Sequence, residues 1–312
     1  MSPRSFAVVI CSYTERRWDD LRAAVVSVHG QHLPARRTVV VVDDDPALYR
    51  RVRAELPGVT AVLKRGGKGL SAARNAGVAA TAEDVVAFLD DDAIAHPSWL
   101  ARLAEHYADP DVLGVGGRVE PVFSAGRPVW FPREFDWVVG CSYRGLPREL
   151  APVRNFIGAN MSFRRHVFAA VGGFDGAVGR VGTRPTGCDE TEFCIRILER
   201  LPRGRLLYEP RSVVRHRVPQ LRASWPYFWR RCWAEGRSKA IVARAHGGSG
   251  ALSSERAYTF GVLPGAFTRA LAAAAGERDR AALVRAGAIA GGLTATTAGY
   301  VAGAGRKGRW SA

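Results

Sequence analysis

A chain of 312 residues and 33.8 kDa, 47% hydrophobic and 24% charged, has room for one large α/β domain with an extension. That composition excludes a disordered or collagen-like protein. Five cysteines without a C-x-x-C pair, and no basic-then-apolar leader with a cleavage site, lead us to expect an intracellular protein with reduced thiols. The net charge is +16, of which +14 lies from Leu201 onward, where 19 basic residues face 5 acidic ones. This surplus suits a phosphate-bearing ligand or an anionic membrane, and the lack of any zinc finger or aromatic–basic interleaving argues against nucleic acid.

In chain order, Phe6 to Cys11, Thr38 to Val42, Val59 to Leu63 and Val85 to Leu89 are apolar, β-branched runs that read as buried strands. Between them Asp19 to His29, Ala47 to Leu56 and Leu70 to Ala80 have helical spacing, and Pro97 to Tyr107 follows as a further helix. Apolar strands alternating with helices predict a parallel sheet covered on both faces, with ligands bound beyond the carboxyl ends of its strands. From Val112 to Glu120 a further strand is expected, then an irregular aromatic wall from Phe123 to Pro147. Arg154 to Phe163 reads as a strand followed by a helix to Val171. Thr191 to Arg200 reads as a helix, and Leu206 to Tyr208 and Ser212 to His216 as short strands. Beyond Pro219 the chain turns helical, with a Gly/Ser linker at Gly247 to Gly250.

Two of the strands stop at three aspartates, Asp43-Asp44-Asp45 and Asp90-Asp91-Asp92. Crowded carboxylates raise one another's pKa, and a hard divalent cation such as Mg²⁺ or Mn²⁺ relieves the repulsion. A solvated Asp-rich turn before the helix at Pro97 is the competing structural reading. "RGGKG", with Lys68 in it, matches neither the P-loop nor the Rossmann spacing.

The segments VVICSYTERRWDDL, VVVVDDDP, GLSAARNAGVAA, VVAFLDDDAIAHPSWL, GANMSFRRHVFAAVGGFD, GCDETEFCIRIL and VVRH occur in one order. That series resembles family 2 glycosyltransferases over roughly Phe6 to His216. The resemblance implies an α/β GT-A fold, a Rossmann-like, mostly parallel sheet with helices on both faces. It also implies a nucleotide-sugar donor, a divalent cation and inversion at the anomeric carbon. Uridine diphosphate is the expected carrier, with guanosine and thymidine open. Residues 1–110 would be the nucleotide-sugar-binding half, 111–218 the acceptor-binding and catalytic half, and 219–312 a basic helical extension.

Position by position, the resemblance puts Ser12, Tyr13, Asp43, Asp44, Arg74, Asn75, Asp90 and Asp91 against the donor. Arg74 has a structural alternative as partner of Asp43 or Asp45. Asp92, with Asp90 and His216, would hold the metal, His216 having a purely structural role as its alternative. Glu190 would be the general base, with Asp189 as its rival, because the acidic pair here runs Asp then Glu where the family shows Glu then Asp. Asn160, Glu192, Arg230 and Arg231 would serve the acceptor or the diphosphate. The Gln-x-x-Arg-Trp motif of processive synthases is absent, so a single addition is expected. A nucleotidyltransferase and a non-catalytic nucleotide-sugar-binding protein are the alternatives.

Twenty uncharged residues from Ala286 to Gly305 lie between Arg278, Arg280, Arg285 and Arg306, Lys307, Arg309. A helix at the cytoplasmic face of a membrane, serving a lipid-linked or anionic acceptor, and a soluble tail used for dimerisation or packed on the protein itself are the two expectations.

Overall fold

The computed structural model describes residues 5–67, 69–176, 187–247, 252–276 and 279–305. Lys68, Gly248 to Gly250, Arg278, Arg306, Lys307 and Arg309 lie outside the described residues. The chain separates into two compact units. The first comprises Met1–Val122, Pro147–Arg184 and Asp189–Arg217, and the second Phe123–Leu146, Pro185–Cys188 and Val218–Ala312.

The first unit begins β1 (Phe6–Ser12), α1 (Trp18–His29), β2 (Arg37–Asp43), α2 (Pro46–Glu55), β3 (Val59–Lys64), α3 (Leu70–Ala79) and β4 (Val85–Asp90). These strands lie parallel in the order β3-β2-β1-β4, so all four aim their carboxyl ends at one edge. Val9, Val39, Val41, Val86 and Phe88 are buried in one apolar cluster with Ala73 of α3, whose Gly77 has no room for a side chain against Val9. Each such apolar residue contributes about 1.5–3 kcal/mol as an upper estimate.

Beyond β4 come β5 (Ala93–Ala95), α4 (Trp99–Ala104), β6 (Val112–Phe123), β7 (Ala151–Pro152), β8 (Asn160–Arg164), α5 (Arg165–Val171), α6 (Asp189–Arg200) and β9 (Arg205–Val218). β8 joins β4 antiparallel, and β6, β9 and β5 extend the same sheet. Three details differ from the sequence expectation. β8 starts at Asn160 rather than near Arg154, because Ile157 to Asn160 form a turn whose Gly158 fits closely against the Arg74 guanidinium. The two short strands after Leu206 are one strand, since Glu209 accepts a hydrogen bond from the Arg211 N–H and carries the chain through Pro210. The three-residue β5 was not foreseen.

The second unit contains α7 (Trp225–Ala245), α8 (Ser253–Ala257), α9 (Leu263–Gly276) and α10 (Arg280–Ala304). α7 and α10 approach until backbone meets backbone. A methyl on Gly236 would overlap the Thr296 carbonyl, and one on Gly299 the Trp233 carbonyl. Ile289 of α10 is buried whereas Val301 is exposed, so the large apolar residues of this helix do not share one environment. Among the described residues no helix is long and apolar enough to cross a membrane.

Candidate active site

β1 and β4 run side by side with Cys11 opposite Asp90, so Ser12 and the aspartates after β4 reach the same edge. The Ser12 hydroxyl donates to Asp91 Oδ2 at 2.7 Å. Arg17, in the turn after β1, places Nη1 at 2.8 Å from Asp91 Oδ1 and 3.1 Å from Asp92 Oδ2. Its guanidinium also lies 5.4 Å from the centre of the Tyr13 ring. Asp91 is 3% and Asp92 6% exposed. Burial and, next, the charge of Asp92 push the Asp91 carboxyl up to about 6, against the pull of Arg17.

β5 pairs with β9 so that Ala93 faces His216. That register brings a residue from far along the chain to Asp92, with His216 Nε2 at 3.0 Å from Asp92 Oδ1. One ligand atom each from Asp90, Asp92 and His216 lie within 4.8 Å of one another. Two carboxylates and an imidazole, with Asp90 still partly exposed, are a donor set that fits a divalent ion completed by phosphate oxygens. A second acidic group of similar spacing, Glu105, His106 and Glu209, is accounted for by Arg211, which pairs with both glutamates.

Arg74 is buried on α3. It donates to the Asp189 carboxylate and to the Gly158 carbonyl at 3.3 Å, and lies 3.9 Å from Asp90 Oδ1. Its partners are therefore Asp189 and Asp90 rather than Asp43 or Asp45, and it links the end of β4 to the start of α6. Asp189 and Glu190 are the first two residues of that helix rather than residues ahead of it. Burial, then the negative charge of Asp189, pushes the Glu190 carboxyl up to about 8, while Arg74 pulls it down.

At the neighbouring strand end Asp43 is buried between Lys64 Nζ at 3.1 Å and the Gly69 N–H at 2.7 Å. Asp44 is exposed with φ +58°, and Asp45 caps α2 by accepting from Leu48 N at 3.0 Å.

Other expected site residues are turned elsewhere. The Asn75 side-chain amide grips the Phe174 backbone, donating to its carbonyl and accepting from its N–H at 2.8 Å each. Asn160, 0% exposed, accepts from Trp99 Nε1 and donates to the carbonyls of Arg118 and Ser212, so it ties strands together inside the sheet instead of facing an acceptor. Glu192 binds Arg196, which itself holds the Val171 and Gly173 carbonyls. Arg230 and Arg231 belong to the second unit, where Arg230 is exposed and Arg231 pairs with Glu235.

Arg17 and Lys64, which join Arg74 in balancing the acidic edge, went unnoticed in the sequence. Lys64 had a signal, as the last residue of β3 in register with Asp43. Arg17 had none, because its partners lie far along the chain.

Two solved structures of GT-A glycosyltransferases share this fold. The mannosyltransferase PcManGT from Pyrobaculum calidifontis, in complex with GDP-Man and Mn²⁺, matches with a TM-score of 0.59 at 20% identity, over 97% of this chain and 86% of that one. GalNAc-T7 with UDP, GalNAc and Mn²⁺ matches at 0.51 and 20% identity, over 69% of this chain and 43% of that one. At such identities the likeness shows the fold. The profile of glycosyl transferase family 2 matches residues 7–172, and the chain belongs to this family. A curated relative, the glucosyl-dolichyl phosphate glucuronosyltransferase of Haloferax volcanii, is 35% identical over 240 residues, 76% of each chain.

Proposed function

We propose that this protein transfers one sugar, with inversion, from a nucleoside diphosphate donor to a hydroxyl of a lipid-linked acceptor. The observation that carries the reading is the convergence at one sheet edge of the Asp90, Asp92 and His216 ligand atoms, with the Arg74–Asp189 pair leading to Glu190. Uridine diphosphate is the carrier we favour, with guanosine diphosphate next, since neighbours of the same fold hold one or the other. The lipid-linked acceptor is supported by the Haloferax volcanii relative, whose name specifies glucosyl-dolichyl phosphate.

In this reading residues 1–110 hold the donor. Ser12, Tyr13, Asp43 and Asp44 line the place of the base and ribose, and Arg74 keeps Asp189 and Asp90 in position. Asp90, Asp92 and His216 hold a divalent cation, Mn²⁺ or Mg²⁺, which supplies Lewis-acid stabilisation of the departing diphosphate. Residues 111–218 bring in the acceptor. Glu190, whose raised pKa makes it a stronger base once ionised, accepts the proton from the acceptor hydroxyl as its oxygen attacks the anomeric carbon. Asp189 sets the charge beside that base. Single addition follows from the missing processive motif. The surplus of arginine in the second unit supports work at the cytoplasmic face of a membrane.

The test is a donor panel with Mn²⁺ and a short-chain polyprenyl-phosphate-linked glucose as acceptor. Release of UDP or GDP with an extended lipid-linked product supports the reading. Release of pyrophosphate, or binding of every donor without turnover, overturns it.

A further inference from the structure

The second unit contains a cavity of about 580 Å³ that the transfer chemistry above does not use. Five arginines surround it: Arg127, Arg133, Arg144, Arg269 and Arg285. Two of them are matched by carboxylates. Asp136 binds Arg127 through two bonds of 2.7 and 2.8 Å, and Asp279 holds Arg285 at 2.8 Å. Arg144 and Arg269 share a single oxygen of the buried Glu134, at 3.4 and 3.5 Å. Arg133 is exposed and has no carboxylate within ion-pair distance among the described residues. The cavity wall is therefore positive beyond what its own acids neutralise.

Arginine forks recognise phosphate oxygens in pairs, and a positive concave wall concentrates anions. A bare phosphate would not use the rest of the cavity. Its floor is apolar, formed by Phe131, Ile289 and the face of α9 that carries Ala266, Ala270 and Ala273. Alanine at those positions leaves room where larger side chains would fill the hollow. At its margin Val129 is 70% exposed, a large apolar side chain turned to the outside. A volume of this size is typical of sites that enclose a small ligand or one end of a long one.

We propose that this cavity binds a phosphate-bearing lipid, its phosphate held by Arg133, Arg144 and Arg269 and its hydrocarbon chain laid along the alanine face of α9 past Val129. The inference stands on the second unit alone and does not require the transferase reading. Its failure and that of the reading above are therefore separable.

Calorimetry on the full chain tests it with farnesyl phosphate, farnesol and inorganic pyrophosphate as probes, each below its aggregation limit. Farnesyl phosphate is expected to bind at least tenfold more tightly than either of the others. Arg133→Gln, which breaks no ion pair, and Ala273→Phe, which fills the floor, should each weaken farnesyl phosphate about tenfold. Both variants should keep the thermal unfolding midpoint and the donor affinity of the parent, and Arg50→Gln, exposed on α2, should change nothing. Farnesol binding as well as farnesyl phosphate would leave only a greasy groove and overturn the proposal. Pyrophosphate binding as well would make it a site for soluble phosphates and overturn the lipid part. Unchanged affinity in both cavity variants would place the ligand elsewhere.

Discussion

β2 and β4 both run out of apolar residues into three aspartates, but the chain spends the two triplets differently. The β2 triplet is followed directly by Pro46, which opens a helix, and Asp45 becomes its cap. Asp44 turns into the left-handed region and faces outward, and Asp43 alone stays buried, balanced by Lys64. After β4 no helix follows at once. β5 instead brings the triplet under β9, so that Asp91 and Asp92 are both buried with one guanidinium between them and His216 alongside. Identical residues at equivalent strand ends thus become backbone supports in one place and a crowded, chargeable cluster in the other. The difference lies in what the following residues allow the chain to do.

The comparison can be broken most severely at Asp92. Asp92→Asn should reduce turnover by about a thousandfold or more, the loss of several kcal/mol of transition-state stabilisation, with the unfolding midpoint little changed. A variant that keeps a tenth of the parent rate would mean that the β4 triplet is as structural as the β2 one. Glu190→Gln should lower turnover about a hundredfold with donor affinity retained.

The pH profile separates Glu190 from its neighbour. Because the Glu190 pKa is raised, the base is protonated and idle at low pH, so kcat/KM should rise with pH and level off above about 8. Asp189→Asn removes the negative charge that opposes ionisation. The rising limb should then move to lower pH by about one unit, with activity retained. If Asp189→Asn is the crippled enzyme and Glu190→Gln is mild, Asp189 is the base.

Effects on the β2 side should be smaller. Asp43→Asn should raise the donor KM about tenfold with little loss of kcat, read from initial rates over a donor series. Asp45→Ala removes only a helix cap. It should cost about 1 kcal/mol of stability in a denaturant titration and leave turnover as it was.

The parallel half of the sheet was legible because its strands are unbroken β-branched runs, a pattern that buried parallel strands require. The acidic ends of β2 and β4 were legible for the same reason, since charge at the end of such a run stands out. The partners of Asn75 and Asn160 were not legible, because an amide looks the same whether it faces a ligand or clasps a backbone. Its partners, Phe174 for one and Ser212 for the other, lie far off in sequence. The late start of β8 depends on Arg74 fitting against Gly158, a contact that no local periodicity encodes. The second unit was legible as helix but not as packing. Its closeness rests on single glycines such as Gly236 and Gly299, which in sequence look like helix breakers.

Phe135, near the middle of the chain, packs against Phe228 of α7 with ring centres 5.3 Å apart, and its ring also closes over Gly292 of α10. During synthesis that phenylalanine leaves the ribosome long before either helix exists. At about 5–20 residues per second, the wait for α10 is on the order of ten seconds or more. Phe135 therefore spends that interval without the α10 surface that covers it in the finished fold. The order of emergence thus leaves Phe135 without its α7 and α10 partners for that interval. A loss of yield on faster expression would then trace to timing rather than to the stability of the finished fold.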